Sequence, residues 1–102
     1  MKRRAAQSAK PARRWFVYML ECAGGRIYTG ITVDVAQRFA KHRAGRGGAF
    51  TRSYRPLRVL AAMRCGSRSA ALKAEYRLKQ LRRPEKLQWA VHRRWAAEFK
   101  SD

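Results

Sequence analysis

Two short segments of strand-forming residues, separated by a pair of glycines, restrict most strongly what this chain can fold into. The segment Trp15–Cys22 is rich in aromatic and β-branched residues and is too short for a typical helix. The same character resumes over residues 26–31, after Gly24 and Gly25, which tolerate the positive φ angles of a chain reversal. The sequence therefore predicts a β-hairpin near the start of the fold.

A short amphipathic helix is predicted directly after the hairpin. Asp34 is followed three residues later by Gln37, which matches a capping-box arrangement at a helix N-terminus. Val35 and Phe39 lie one turn apart on the same face. We therefore predict a helix over residues 34–44.

The rest of the chain predicts one more strand and two more helices. Residues 45–56 are rich in Gly and Arg, which favours a surface loop, and the apolar residues 57–63 favour a strand. Ser67 or Ser69 can cap a second helix, and Pro84 suits the first turn of a third. This order predicts an α+β fold, in which one small three-stranded antiparallel β-sheet is flanked by helices.

The charge balance indicates a polyanionic partner. The chain has 102 residues, with 25 Lys and Arg against 6 Asp and Glu and a formal charge of +19. Its length suits a single domain, placed at residues 15–99, and its charge favours nucleic acid. A membrane is not expected as a partner, because no apolar run approaches the roughly 18 residues of a spanning helix. Residues 1–14 are expected to form a disordered basic tail that lacks the apolar centre of a secretion signal.

The two cysteines indicate a reducing compartment. Cys22 and Cys65 lie far apart in the sequence and outside any C-x-x-C pattern. Neither a zinc site nor a disulfide framework is predicted from that spacing. We therefore expect reduced thiols and a cytoplasmic protein.

Five residues are candidates for chemistry, each with a plain structural alternative. Tyr18 and Tyr28 flank the hairpin turn and could simply pack in the sheet. Arg38 and His42 share a helix face, where Arg38 could pair with Asp34 and His42 could be a satisfied border residue. The carboxylate of Glu75 lies at the edge of an apolar helical stripe, and its structural alternative is a simple ion pair with Lys79. The five candidates are Tyr18, Tyr28, Arg38, His42 and Glu75.

In this order, these residues resemble the GIY-YIG nuclease family over Trp15 to about Leu81. Its first motif is similar to Phe16-Val17-Tyr18, and its second motif to Tyr28-Thr29-Gly30. Arg38 and His42 look like the helix residues of the family, and residues 74–80 resemble the segment that bears its metal-binding glutamate. The length is similar to that of the short standalone bacterial branch, the YhbQ-like proteins.

The resemblance implies a metal-dependent endonuclease that hydrolyses phosphodiester bonds, with DNA as the expected substrate. Glu75 would hold Mg²⁺ or Mn²⁺ together with several waters. Arg38 would bind the scissile phosphate through its planar fork. Tyr28 would steer or deprotonate the attacking water with His42 as its helper, and Tyr18 would position the phosphate or hydroxide.

Further residues are expected to bind the substrate. Gly30 would let the phosphate backbone approach the sheet without meeting a side chain. Basic side chains would contact phosphates, while Phe50 and Tyr54 could stack on unpaired bases, although a merely solvated loop is the alternative. These basic residues are Lys79, Arg43, Arg46, Arg52 and Arg55.

The proposed chemistry makes a prediction about the hairpin. Both tyrosines must face the same side of the sheet, whereas a two-residue turn at Gly24 and Gly25 would place them on opposite faces. The hairpin should therefore have a three- or five-residue loop, or a bulge, near Gly24.

One departure from the family keeps an alternative function open. Several relatives have an asparagine downstream of the glutamate, whereas Leu87 and Gln88 occupy that region and the chain contains no asparagine. The main alternative is a non-catalytic, basic nucleic-acid-binding module with the same fold. The last helix, with Trp89, Trp95 and Phe99, could belong to the core or bind a protein partner.

Overall fold

The computed structural model describes residues 14–94, which form a three-stranded antiparallel sheet with flanking helices. This is the α+β fold that the order of segments predicts. The expected tail at residues 1–14, apart from Arg14, lies outside the described residues, as do Trp95 and Phe99. The strands are β1 (Trp15–Cys22), β2 (Arg26–Thr32) and β3 (Pro56–Cys65), and the helices are α1 (Val35–Arg43), α2 (Ala49–Ser53), α3 (Arg68–Gln80) and α4 (Arg83–Val91).

Strand β1 lies at the centre of the sheet, between β2 and β3, and both pairings are antiparallel. Its two faces enter two separate apolar clusters. Tyr18 and Leu20 pack with Val35 of α1, while Val17 and Met19 pack with Leu78 of α3. A central strand covered on both faces accounts for the near-continuous apolar run of β1.

The hairpin between β1 and β2 has a three-residue loop, Ala23–Gly25, as one of the alternatives predicted. Gly24 and Gly25 have φ angles of 76° and 74°, which glycine adopts without steric cost. Leu20 pairs directly with Tyr28 in the register. Since residues two apart on a strand share a face, Tyr18 lies on the same face as Tyr28.

The helix caps follow the sequence with one difference. The Asp34 carboxylate accepts a hydrogen bond from the Gln37 amide at 3.0 Å, as the pattern predicts. The Asp34 amide, however, donates to Thr32 Oγ1 at 3.2 Å, so this hydroxyl takes the place expected for the Gln37 side chain. Ser67, not Ser69, caps α3 by accepting from the Ala70 amide at 3.1 Å.

Two boundaries differ from those predicted. Residues 45–56 were expected to form a loop throughout, but they contain the five-residue helix α2. A single five-residue helix is too short to show an apolar periodicity that would reveal it. Strand β3 extends beyond residues 57–63 to Pro56 and Cys65, because its pairing with β1 continues along the full length of that strand.

Two further observations concern α4 and membranes. Trp89 packs against the cluster around Val17 and Met19, so this tryptophan contributes to the core. Between residues 14 and 94, none of the helices combines the length and the apolar character needed to cross a bilayer.

Candidate active site

His42 lies in the interior, with both ring nitrogens close to hydroxyl groups. Its side chain is 1% exposed, because α1 covers the face of the sheet that carries Tyr18. Nε2 lies 3.0 Å from the Tyr18 hydroxyl, and Nδ1 lies 2.7 Å from Thr51 Oγ1. The sequence placed His42 at the border of the apolar stripe, whereas the structure buries it and satisfies both nitrogens.

Tyr28 lies between this buried group and the surface. Its ring centroid is 4.9 Å from that of His42 and 5.7 Å from that of Phe50. We expected His42 to assist Tyr28 directly, but the hydrogen bond of His42 goes to Tyr18, and Tyr28 contacts the imidazole through its ring. Tyr28 is half-buried and Tyr18 is fully buried.

Arg38 brings a cation to the same place from one turn earlier on α1. Its Nη2 donates to the Gly47 carbonyl at 3.4 Å, and its guanidinium is near enough to Tyr18 to lower the pKa of the phenol. The alternative pairing with Asp34 is not adopted, since that carboxylate caps α1. Arg38 is half-buried, which strengthens its electrostatic effect.

Burial and charge fix the protonation of this group at neutral pH. Burial, followed by the nearby Tyr28, raises the pKa of Tyr18, and Glu75 adds to this effect while Arg38 opposes it. Burial, followed by Arg38, lowers the pKa of His42. The phenol of Tyr18 therefore keeps its proton, and the His42 ring is neutral.

Gly30 packs directly against the two tyrosines of the hairpin. It pairs with Tyr18 in the register, and a Cβ atom at this position would lie 2.7 Å from the Tyr18 hydroxyl and 3.0 Å from Tyr28 Cε2. The space left by the missing side chain is thus filled by Tyr18. The approach of a phosphate backbone at Gly30 stays a prediction.

Glu75 acts on the group electrostatically from α3. Its carboxylate is within electrostatic range of Tyr18 and forms an ion pair with Lys79 at 3.2 Å, which was the structural alternative. Its side chain is 20% exposed and can still meet solvent. No cluster of three His, Cys, Asp or Glu side chains exists among residues 14–94. A single accessible carboxylate suits a hard cation such as Mg²⁺, which keeps most of its waters.

Basic side chains surround this group on the surface. Arg43, Arg52 and Arg55 line an open groove that is backed by His42 and Thr51, whereas Arg46 is exposed outside it. The ion pairs within residues 14–94 use other cations, so these four arginines have no acidic partner there. The groove therefore offers uncompensated positive charge.

A second basic hollow lies beside Phe50, and no local sequence pattern predicts it. Arg26, Arg83 and Lys86 line it together with the exposed ring of Phe50. The side chains come from β2, α2 and α4, so only the tertiary fold assembles them. The Phe50 ring also contacts Tyr54, at 5.1 Å between centroids.

Thr51 and Gly47 are the site residues that sequence reasoning missed. Thr51 is 2% exposed, and its hydroxyl contacts His42. A Cβ atom at Gly47 would overlap the His42 ring, so the backbone there packs directly on the imidazole. No local pattern marks either residue, because their contacts depend on the short helix α2.

The fold and this site define a class of small, basic α+β domains in which two hairpin tyrosines meet an arginine and a histidine from the next helix. The family model for the GIY-YIG catalytic domain matches residues 14–88. The chain therefore belongs to the GIY-YIG family.

Similar proteins carry the name UPF0213. A UPF0213 protein from Cupriavidus pinatubonensis is 55% identical over 75 residues, which are 74% of this chain and 83% of the relative. One from Cronobacter sakazakii is 49% identical over 74 residues, 72% of this chain and 78% of the relative. The solution NMR structure of a UPF0213 protein from Bacillus halodurans superposes with a TM-score of 0.52 at 36% identity, covering 86% of this chain and 94% of that one.

Proposed function

We propose that this protein is an endonuclease that hydrolyses phosphodiester bonds of DNA in a structure-directed or non-specific manner, as in repair or recombination. The observation that carries the proposal is that four side chains meet and that a carboxylate lies within electrostatic range of them. Tyr18 and Tyr28 come from the hairpin, Arg38 and His42 come from α1, and Glu75 comes from α3. Membership of the GIY-YIG family supports it.

Four of these side chains have defined tasks in phosphodiester hydrolysis, and His42 holds Tyr18 in place. Arg38 binds the scissile phosphate and stabilises the charge that develops on its oxygens. Tyr28 is half-buried, so its side chain can meet solvent, and it orients the attacking water. Tyr18 keeps its proton, and its hydroxyl holds a fixed position between Arg38 and His42. Mg²⁺ or Mn²⁺ held by Glu75 would supply positive charge at the phosphoryl and leaving oxygens.

The surface supports nucleic acid as the substrate. Arg43, Arg52 and Arg55 form a groove behind the site, and the Phe50 hollow offers an aromatic face between cations. Phosphate contacts give affinity that does not depend on sequence, and an exposed ring can stack on an unpaired base. We infer that the phosphate backbone of the nucleic acid runs along the arginine groove and past the Phe50 hollow.

A non-catalytic binding module is the second candidate, and a specific contact favours it. Lys79 already neutralises Glu75 at 3.2 Å, which is enough to satisfy this carboxylate without any metal. The absence of asparagine from the chain points the same way. In this case Tyr18, Tyr28 and Arg38 would only hold the backbone.

The test is cleavage of labelled single-stranded, duplex and branched DNA with Mg²⁺ or Mn²⁺. We expect the wild type to cut, and both Glu75→Gln and Arg38→Ala to lose cutting by a factor of about 100 or more. Glu75→Gln keeps the size of the side chain and removes its charge. If the wild type binds every substrate and cuts none with either metal, the binding module replaces the nuclease.

Matched controls separate chemistry from surface charge. Arg64→Ala removes an exposed arginine from β3, and Glu21→Gln removes a carboxylate that pairs with Arg58. Both should cut like the wild type. Lys79→Ala breaks the ion pair, so it should weaken substrate binding but keep metal-dependent cutting. Equal loss in Lys79→Ala and Glu75→Gln would identify the pair as purely structural.

A further inference from the structure

The buried imidazole of His42 can exist in two neutral forms, and the structure contains the groups that choose between them. Nδ1 lies 2.7 Å from Thr51 Oγ1, and Nε2 lies 3.0 Å from the Tyr18 hydroxyl. A neutral ring has one N–H and one acceptor nitrogen. Each hydroxyl can either donate or accept, so the direction depends on what else binds them.

At the Thr51 end, the backbone supplies a competing acceptor. Thr51 Oγ1 lies 3.5 Å from the Gly48 carbonyl, which can only accept a hydrogen bond. A hydroxyl has a single hydrogen, and when Thr51 donates it to Gly48 its oxygen is left to accept from Nδ1–H. Nε2 then carries no proton.

At the Tyr18 end, the hydroxyl can follow the state of the ring. Nε2 lies 3.0 Å from the phenol oxygen, which can donate or accept. When Thr51 holds the ring proton on Nδ1, Nε2 offers only a lone pair, so the phenol hydrogen is donated to it. The Thr51 end therefore sets the direction of both hydrogen bonds.

The segment around α2 holds this arrangement tightly. Thr51 is 2% exposed, and Gly47 leaves no room for a side chain above the ring. The Gly47 carbonyl in turn accepts from Arg38 at 3.4 Å. The same short segment therefore contacts both Arg38 and His42, the two site residues of α1.

We propose that the Thr51 hydroxyl fixes His42 in the Nδ1–H form, so that Nε2 accepts the phenol hydrogen of Tyr18. Thr51 is then a positioning residue, and Tyr18 is the tyrosine coupled to an internal proton acceptor. A role of Thr51 in catalysis rests on the proposed function. The hydrogen-bond arrangement around His42 does not depend on that function.

The direct test uses the ring nitrogens of ¹⁵N-labelled protein, observed by long-range ¹H–¹⁵N correlation at neutral pH. We expect protonated Nδ1 and unprotonated Nε2 in the wild type, and the same in Thr51→Ser, which keeps the hydroxyl. In Thr51→Val a proton should appear on Nε2. A proton on Nε2 in the wild type, or an unchanged ring in Thr51→Val, overturns the proposal.

A matched control removes a hydroxyl that has no role in this arrangement. Thr29 Oγ1 is buried and has no hydrogen-bond partner within the described residues, so Thr29→Val makes the same chemical change nearby. It should leave both nitrogen signals of His42 as in the wild type. A Thr29→Val spectrum with the shifts of Thr51→Val would show a non-specific packing effect and overturn the assignment to Thr51.

Cleavage kinetics then test the catalytic meaning separately. Thr51→Val should cut about 10-fold to 100-fold more slowly, the range typical of partners that orient a functional histidine, while Thr51→Ser and Thr29→Val should cut normally. A wild type that never cuts removes the proposed function, and the nitrogen spectra still decide the role of Thr51. Normal cleavage by Thr51→Val, despite a changed ring, overturns the positioning role.

Discussion

Gly30 packs directly against the side chain of Tyr18, so a larger residue in place of this glycine should destabilise the protein. Gly30→Ala would place a Cβ atom 2.7 Å from the Tyr18 hydroxyl, and that ring is confined by His42. We expect a loss of about 1–3 kcal/mol in the free energy of unfolding, the usual cost of overpacking, together with slower cleavage. Chemical denaturation measures the first effect.

Gly66→Ala is the matched control for this substitution. A Cβ atom at Gly66 meets no other atom within 4 Å, so the same added methyl group enters open space. Stability and cleavage should stay close to those of the wild type. Equal stability of the two variants would contradict the tight packing of Tyr18 against Gly30.

His42 should also make stability depend on pH. Burial and Arg38 lower its pKa in the folded state, whereas an unfolded histidine titrates near pH ~6.5. The unfolded chain therefore binds the extra proton first, so stability is complete above about pH 6.5 and falls below it until the folded ring also protonates. Unfolding followed by denaturant from about pH 7.5 downward should show this decline.

Substitution of each histidine assigns the decline. The groups that face His42 are Tyr18, Tyr28, Arg38 and Thr51, and Arg38 is the one among them that lowers the pKa of His42. His42→Gln should flatten the pH dependence between about pH 7.5 and 5. His92→Gln changes an exposed histidine and should preserve it. A slope that survives in His42→Gln would assign the effect to other groups.

Among the elements, the five-residue helix α2 contributes both to the buried group around His42 and to the surface. It presents Thr51 to His42 on one side and Phe50 to the surface on the other. Phe50→Ala should weaken binding of strands with unpaired bases by about 1–3 kcal/mol and leave duplex binding nearly unchanged. Fluorescence anisotropy with matched single-stranded and duplex DNA measures the difference.

Leu57→Ala provides the comparison for Phe50→Ala. Leu57 is a large apolar side chain on β3 that is 53% exposed, but it does not line the Phe50 hollow. Its loss should affect both kinds of DNA little. If Phe50→Ala weakens duplex and single strand equally, stacking on unpaired bases is the wrong explanation.

The elements also show how far the sequence could be read. Strand β1, its hairpin and α1 follow from residue types and spacing. The shared face of Tyr18 and Tyr28 does not, because the pattern leaves the register open and the loop length was expected only from the chemistry that the family resemblance implies. Helix α2 does not follow, because five residues are too few to show a helical periodicity. The link between His42 and Tyr18 depends on how α1 crosses the sheet, which no local pattern specifies.

For the whole molecule, the formal charge of +19 predicts strong dependence on salt. Each phosphate contact releases about 0.9 counterions from duplex DNA, so the logarithm of the binding constant should fall steeply with the logarithm of salt concentration. Arg52→Ala with Arg55→Ala should reduce the magnitude of that slope by up to about 2. Binding titrations over a range of salt concentrations measure it.

Arg64→Ala tests whether position matters as well as charge. This exposed arginine lies on β3, away from the groove that Arg43, Arg52 and Arg55 line. Its loss should change the slope much less than the loss of one groove arginine. Equal changes would mean that DNA senses only the net charge and that the groove is not its path.

The three-residue loop of the hairpin also limits which insertions the two strands can accept. With the pairing of Cys22 and Arg26 kept, the loop length can vary without affecting the faces of the two strands. If the strands instead slip by one residue to absorb an insertion, every side chain of β2 reverses its face and Tyr28 leaves Tyr18. Insertions absorbed by slippage are therefore tolerated only in even numbers, a counting constraint that separates harmless loop variation from loss of the site.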